Sequence, residues 1–353
     1  MKIAVLTSGG VDSSVALRLL HREGHKLTAF YLKIWLEDEL SYLGECPWEE
    51  DLAYVRQICD EIDVPLKVVP MQKEYWERVV EYTVAEAKAG RTPNPDVLCN
   101  RQIKFGQFYE VIDDSFEKVA TGHYARAEET DKGFILRRAP DPVKDQTYFL
   151  AQISQKQLSR ALFPIGKFVK GEVRALAREF NLPNQNRKDS QGICFLGKIP
   201  FADFLKHHLG EKPGEFVGLA GGKVVGEHRG YWFYTIGQRQ GLGLSGGPWF
   251  VVKKDIGKNI IYLAQGHQPD EVYKSEFKVG PIHLINDRFP MTNLPAGRAG
   301  NQLKVKIRHG ATMHDCRVDG NRIILKEPVH GVAAGQFAVF YYGDICLGSA
   351  VII

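Results

Sequence analysis

Ser8-Gly9-Gly10-Val11-Asp12-Ser13-Ser14 stands between an apolar run, Lys2 to Thr7, and a segment in which Val11, Val15, Leu19 and Ala16, Leu20 recur at helical spacing. A short strand that breaks at two glycines and passes directly into a helix is a βα unit. Such a turn directs backbone N–H groups and the helix N-terminus toward one point, which is what bound phosphates require. Ser8, Ser13 and Ser14 add hydroxyl donors. No Lys-Ser/Thr pair follows the glycines, so this is not a Walker loop, and Gly221-Gly222-Lys223 lacks both the leading Gly and the trailing Ser/Thr. The alternative is a tight turn with a serine cap that binds nothing.

Outward from the loop the alternation continues. Leu27 to Ile34 reads as a strand, Glu49 to Ile62 as a helix with Leu52, Val55, Cys59 and Ile62 on one face, and Leu66 to Val69 as a strand. Glu74 to Ala89 is helical and Lys118 to Ala120 is a short strand, followed directly by Thr121-Gly122-His123-Tyr124. Strands separated by helices imply an α/β fold with a doubly wound parallel sheet, and the end of such a strand is where ligands bind. After Pro183 the grammar changes. A helix over Phe201 to Leu209 leads into short runs punctuated by Gly and Pro, Glu215 to Leu219, Lys223 to Glu227 and Trp249 to Lys253. From about Gln268 to Ile353, segments such as Gln302 to Arg308, Arg322 to Lys326 and Phe337 to Tyr342 are spaced as in a small barrel or sandwich. The expectation is an ATP-binding catalytic domain over 1–200, a small β-rich central domain over 201–267 and a C-terminal β-barrel over 268–353.

The composition agrees. A chain of 353 residues with 44% hydrophobic content can bury more than one core. No stretch is long enough to span a bilayer and the first residues do not form an export signal, so no membrane partner is expected and the cytoplasm is the expected compartment. Six cysteines without a CxxC pair are too few for a disulfide scaffold and wrongly spaced for structural zinc. From Phe201 onward there are 18 Lys and Arg against 13 Asp and Glu, and eight of the eleven His, so the back part is the candidate polyanion surface.

Two cysteines have a chemical setting. Cys99 ends Thr92-Pro93-Asn94-Pro95-Asp96-Val97-Leu98-Cys99-Asn100, read as an extended, stiff loop because of its prolines. Asp96 is placed to act as a general acid/base, and Arg91, Arg101 and Lys104 are cations near enough to favour a thiolate. Cys194 lies in Asn186 to Phe195, another polar loop with cations ahead of it. Cys59, Cys316 and Cys346 read as structural, and Cys46 has no catalytic context. Tyr231-Trp232-Phe233-Tyr234 reads as core in preference to a base-stacking platform.

The SGGxDS string resembles the pyrophosphatase (PP) loop of enzymes that split ATP into AMP and pyrophosphate. Taken together with Asn94 to Asn100, Ala120 to Tyr124, Lys144-Asp145-Gln146-Thr147-Tyr148-Phe149-Leu150, Phe163-Pro164-Ile165-Gly166, Asp189 to Phe195 and Tyr234 to Arg239, it resembles the tRNA 2-thiouridylases over nearly the whole chain. That resemblance implies an adenine nucleotide alpha hydrolase-like PP-loop domain and a sulfurtransferase. ATP with Mg²⁺ adenylates the C2 oxygen of the wobble uridine, and sulfur then displaces AMP. Implied nucleotide contacts are Leu6, Thr7, Ser8, Gly9, Gly10, Val11, Asp12, Ser13, Leu32 and Gly122. Implied tRNA contacts are Asn94, Pro95, Asp96, His123, Lys144, Asp145, Gln146, Arg308, His309 and Gln336. Cys194 resembles the persulfide carrier, Cys99 its partner and Asp96 the acid/base residue. The two cysteines must then come within disulfide range. The substrates would be Lys, Glu and Gln tRNAs, and the sulfur would come from a persulfide donor such as a cysteine desulfurase or a sulfur relay protein.

Leu6-Thr7 replaces the Gly-Met common in the bacterial family, and Leu32 replaces a Met whose backbone meets adenine. The segment Cys46 to Asp51 resembles a cyanobacterial or plastid branch, which adds the plastid stroma as an alternative compartment. An amidating ligase with the same loop would not need the two cysteines, and a tRNA-binding protein gated by ATP would not release pyrophosphate.

Overall fold

The computed structural model describes residues 1–34, 48–189, 199–267, 269–289 and 303–353; Cys46 and Cys194 lie outside these residues. The front sheet has five parallel strands in the order β3 (Leu66–Pro70), β2 (Lys26–Lys33), β1 (Lys2–Leu6), β4 (Lys118–Ala120) and β7 (Ala161–Leu162). Alternate residues of a strand face opposite sides. Ile3 and Val5 therefore enter the core under α1 (Val11–Arg22) and the helices Trp48–Glu61 and Lys170–Glu179. Ala4 and Leu6 enter the core on the other face, under the helical stretches 72–88 and 95–111 and the helix Phe201–Leu209. Helices on both faces explain why β1 reads as an unbroken apolar run.

The chain runs from β1 outward to β2 and β3, then returns to the far side of β1 as β4. The ends of β1 and β4 thus form the topological switch point of the sheet, where open α/β folds leave a ligand crevice. The Ser8 to Ser14 loop follows β1, and Thr121 to Tyr124 follows β4.

The stretch expected to be an extended loop before Cys99 is helical. Asn94 is an N-cap whose side chain accepts from Val97 N, Pro95 occupies the first turn, and the helix Pro95–Leu98 continues as a π-type segment, Cys99–Gln107. Proline suits a first turn because its missing N–H would have no intrahelical partner there. Pro95 therefore starts the helix rather than blocking it.

Behind this unit a four-stranded sheet runs β10 (Trp249–Asp255), β11 (Ile260–Gln265), β8 (Gly214–Gly218), β9 (Val224–His228). Tyr231 and Tyr234 pack inside it with Phe216, Val251, Ile261 and Leu263, as a core reading requires. The C-terminal strands follow in the order β12 (Tyr273–Lys278), β16 (Arg322–His330), β15 (His314–Asp319), β14 (Leu303–Lys306), β17 (Phe337–Tyr342), β18 (Ile345–Val351), and β13 (His283–Leu284) also pairs with β18. A bridge between Val279 and Ile352 brings the two ends of this order together, closing a barrel around Val305, Ile323, Ala338 and Phe340.

One pairing has no counterpart in the sequence reading. The hairpin β5 (Ala125–Thr130) and β6 (Gly133–Arg138) leaves the front unit and extends the barrel sheet, with Leu136 opposite Cys346. Around it Val97, Phe105, Tyr148, Phe337, Val339 and Tyr341 form a core shared by front unit and barrel. Asp145 sits at this seam with no side-chain exposure, paired to the equally buried Lys306 at 3.0 Å and to Arg138 at 3.0 Å. Asp145, expected among the tRNA contacts, has its carboxylate bonded internally, as counter-ion to Lys306 and Arg138. Burial alone would raise its pKa, but Lys306, Thr147 and Arg138 outweigh that and hold it low.

Removing one member of a buried pair leaves the other charge under-compensated, here with Arg138 alone. Lys306→Met is expected to cost about 3–5 kcal/mol, read from the urea midpoint at pH 7. A carboxylate with a depressed folded pKa stabilises above its unfolded value, about 3.9, and that stability is lost as pH falls through the folded pKa. The gap between wild type and variant should therefore narrow in acid; a gap equal at pH 7 and in strong acid would rule out the ion pair as its source.

Candidate active site at the sheet switch point

The loop after β1 is held by its own polar atoms. Ser13 Oγ accepts from Ser8 N at 3.2 Å and donates to Gly10 O at 3.0 Å, and Ser14 Oγ donates to the same oxygen at 3.0 Å. These bonds draw Gly10 into the N-cap position of α1, which no side chain caps. The first N–H groups of a helix have no intrahelical partner, and an anion can satisfy them together with the positive end of the helix dipole.

Gly122 lies against this helix start. A Cβ on Gly122 would meet Ser13 N at 2.6 Å and Asp12 C at 2.8 Å, so only glycine allows β4 to end there. His123 beside it is buried between Phe105 and Phe163, with Nδ1 2.7 Å from Thr121 Oγ1. Desolvation, reinforced by the nearby Lys104 charge, drives its pKa well below 6.5, so the ring is neutral at pH 7 and acts through hydrogen bonds.

A charge network that the sequence reading missed surrounds Asp12. Lys170, at the start of its helix, donates to both Asp12 oxygens at 2.8 and 3.0 Å and pairs with Asp189 at 2.7 Å. Tyr124 OH also donates to Asp12, at 2.9 Å. Asp189 is further held by Lys144 at 2.6 Å and Arg174 at 2.5 Å. Its partial burial would raise its pKa, but Lys144 and Lys170 prevail and lower it. Asp141 fixes the approach of these cations by accepting from the backbone N–H groups of Val143, Lys144 and Lys170.

Cys99 is 1% exposed and shares its core with Leu6, the last residue of β1 before the loop, and with Phe30 of β2. The cations expected beside it are engaged elsewhere in part: Arg91 grips Glu86, and Arg101 donates to Gln152 at 2.8 Å. Asn94 and Gln336 are brought together. Gln336 Nε2 donates to the carbonyls of Thr92 and Pro93, both at 3.1 Å, and its Oε1 faces Asn94 Nδ2 and Tyr148 OH, both at 3.4 Å. The amide of Gln336, expected among the tRNA contacts, is thus bonded internally. His309 joins the Lys144 to Gln146 stretch, its Nε2 3.2 Å from Asp145 O and its ring stacked on Phe149 at 4.6 Å, whereas Arg308 donates to His330 O at 2.8 Å. His309 is held toward neutrality by desolvation, with Asp145 and Asp96 among the groups opposing it. Leu32 borders the Cys99 core, and Gln146 Oε1 accepts from Tyr124 N at 2.9 Å. Cys59 and Cys346 are buried, and burial pushes the thiols of Cys59 and Cys316 up to about 12, as suits structural cysteines.

Residues 1–198 match the tRNA methyl transferase HUP domain, 202–265 the tRNA methyl transferase PRC-barrel domain and 274–352 the aminomethyltransferase beta-barrel domain. The tRNA-specific 2-thiouridylase MnmA of Porphyromonas gingivalis is 47% identical over 358 residues, covering all of this chain and 99% of that protein. MnmA of Parabacteroides distasonis is 46% identical over 361 residues, with the same coverage. The chain belongs to the tRNA-specific 2-thiouridylase family. Its front unit is accordingly a PP-loop domain, of a family whose members bind ATP.

The approach of Gly122 to α1 can be tested directly. Gly122→Ala should weaken ATP binding at least about tenfold in equilibrium dialysis, because the helix start must shift off the phosphate site. Gly171→Ala, on the neighbouring helix with open space around it, should leave ATP affinity unchanged. Equal affinities for the two variants would refute the steric argument.

Proposed function

We propose that this chain thiolates tRNA: ATP adenylates the C2 oxygen of the wobble uridine at the switch-point loop, and sulfur carried as a persulfide on Cys194 replaces AMP. The observation that supports this best is the burial of Cys99 in one core with Leu6, the last residue of the strand that runs into the switch-point loop. An amidating ligase would have no use for a cysteine there.

The chemistry divides cleanly. The uracil oxygen attacks the α-phosphorus, pyrophosphate leaves, and the proton at N3 passes to a base, the role assigned to Asp96. A poor leaving group has then become a phosphate ester. A persulfide sulfur is a strong nucleophile near neutral pH and attacks C2, expelling AMP. Cys99 either completes this step by attacking the sulfur of Cys194, leaving a disulfide between them, or first releases the sulfur as sulfide. Both routes consume two thiol electrons, restored by an external thiol. The words methyl transferase in the domain descriptions fit this arrangement less well, since methyl transfer calls for neither pyrophosphate cleavage nor a second cysteine.

Mg²⁺ is proposed to enter with the nucleotide. Among the described residues no group of three or more His, Cys, Asp or Glu could hold a metal, and Asp12, Asp51 and Asp189 are all in ion pairs. An ion held mainly by phosphates and water suits that setting. Lys144, Gln146, Arg308 and His309 are proposed to meet the tRNA, with Asn94, Pro95 and His123 nearer the base. An anticodon loop is single-stranded, so turning one base out costs little. Lys, Glu and Gln tRNAs are the proposed substrates, a persulfide-bearing protein the donor, and the cytoplasm the compartment. Among the described residues no helix is long and apolar enough to cross a membrane.

Mass spectrometry of nucleosides from tRNA incubated with the protein, ATP, Mg²⁺ and a persulfide donor should show 2-thiouridine. Cys194→Ser and Cys99→Ser should each reduce it by about a hundredfold or more, while pyrophosphate release with tRNA persists. Full product from Cys194→Ser would refute the proposal.

A further inference from the structure

The outer wall of the nucleotide loop comes from residues far from it in the chain. The Gly9 carbonyl oxygen accepts from Asn184 Nδ2 at 2.8 Å and from Arg187 Nη1 at 3.1 Å. Asn184 is 1% exposed, and the same nitrogen donates to Ser14 Oγ at 2.9 Å. Arg187 is also paired with Asp51. Asp51 in turn closes over Gly9, where a Cβ would stand 2.6 Å from Asp51 O. Gly9 has φ +72°, a conformation that suits glycine and few other residues.

A trans peptide is planar, and its C=O points opposite to the N–H that follows. Holding Gly9 O outward on Asn184 and Arg187 therefore aims the Gly10 N–H inward, toward the side on which the helix start presents its free donors. A Gly-Gly peptide is otherwise free to turn over, since neither residue has a Cβ to oppose it. We propose that Asn184 and Arg187 are positioning residues that lock the Gly9–Gly10 peptide in its anion-binding orientation, so that ATP meets a preformed pyrophosphate cradle. The proposal rests on the ATP reading above and deepens it. Both side chains act through Gly9 O and neither touches the nucleotide. Preorganised donors bind without first spending free energy on turning a peptide.

The test is pyrophosphate release by the full chain with tRNA over a range of ATP, for wild type, Asn184→Leu, Arg187→Met and the double variant, with tRNA affinity measured by filter binding. Each single variant should raise the KM for ATP about tenfold, with kcat and tRNA affinity within about threefold of wild type. The double variant should exceed the product of the singles, because only the second loss frees the oxygen completely. Two single variants with wild-type KM for ATP would overturn the proposal, and so would a double variant no worse than that product. If Asn184→Leu loses stability and tRNA affinity together, Arg187→Met decides alone: a raised KM for ATP sustains the anchor, an unchanged one overturns it. A wild type that binds ATP but releases no pyrophosphate would mean failure of the functional reading instead. Equilibrium dialysis with ATP then judges the anchor by the same tenfold criterion.

Discussion

The first turn of α1 has to sit against the backbone at residue 122, and much of the architecture serves that contact. Two strands that are neighbours in the sheet but 112 residues apart in sequence must end level, β1 in the loop and β4 in Gly122. The register of Ile3 on Lys118 and Val5 on Ala120 sets that level, and burial of both faces of β1 fixes the register. A slip of one residue would exchange Ile3 and Val5 for Ala4 and Leu6 between the two cores and carry the loop away from Gly122. Apolar packing on each face thus positions a polar site at the edge.

Charge completes what packing begins. Asp12 stands in the first turn of α1, where its carboxylate suits the helix dipole but would repel a phosphate. Lys170 and Tyr124 occupy it, and Lys170 is shared with Asp189, which Lys144 and Arg174 also hold. Because these side chains are partly exposed, solvent screens each pair and none is a large stabiliser alone. Their effect is to hold Lys170 on Asp12, so that the carboxylate in the first turn is neutralised and opposes an incoming anion less.

The fold was legible where it depends on local pattern, and obscure where it depends on distant pairing. The βα alternation, the helix at Phe201 and the barrel segments at Arg322 and Phe337 follow from periodicity and turn residues. The hairpin over Ala125 to Arg138 gives a poor strand signal, with Glu128, Glu129, Arg137 and Arg138 among its residues, and its edge partner lies some two hundred residues later. Pro95 misled for a simple reason: the same ring that excludes a helix interior favours a first turn, and only the Asn94 cap tells the two apart. The motif residues at the loop, Gly122 and Cys99 could be singled out from the chain. Asn184 and Lys170 could not, nor could the partners of Arg187 and Asp189, because a polar residue in a loop or an exposed-looking lysine has no signature until its partner's position is known.

The back of the molecule shapes the site as well as any surface it offers to RNA. The strand of chain from Arg91 to Asn94 leads into the turn that carries Asp96 and Cys99, and three separate grips hold it. Thr92 N donates to Ala334 O at 2.7 Å, Gln336 binds the next two carbonyls, and Thr92 Oγ1 meets Thr235 Oγ1 of the central unit at 3.3 Å. Gly335 permits the first grip, since a Cβ there would press on Thr92 at 2.9 Å. The central unit and the barrel are themselves in contact at Gly237 and Gly331, where a Cβ on the former would lie 2.6 Å from the Cα of the latter. A displacement of either rear unit must therefore move the N-cap of the helix that carries Cys99. Domains joined only by linkers would leave that helix to be placed by the front unit alone; here its first turn is set jointly by all three.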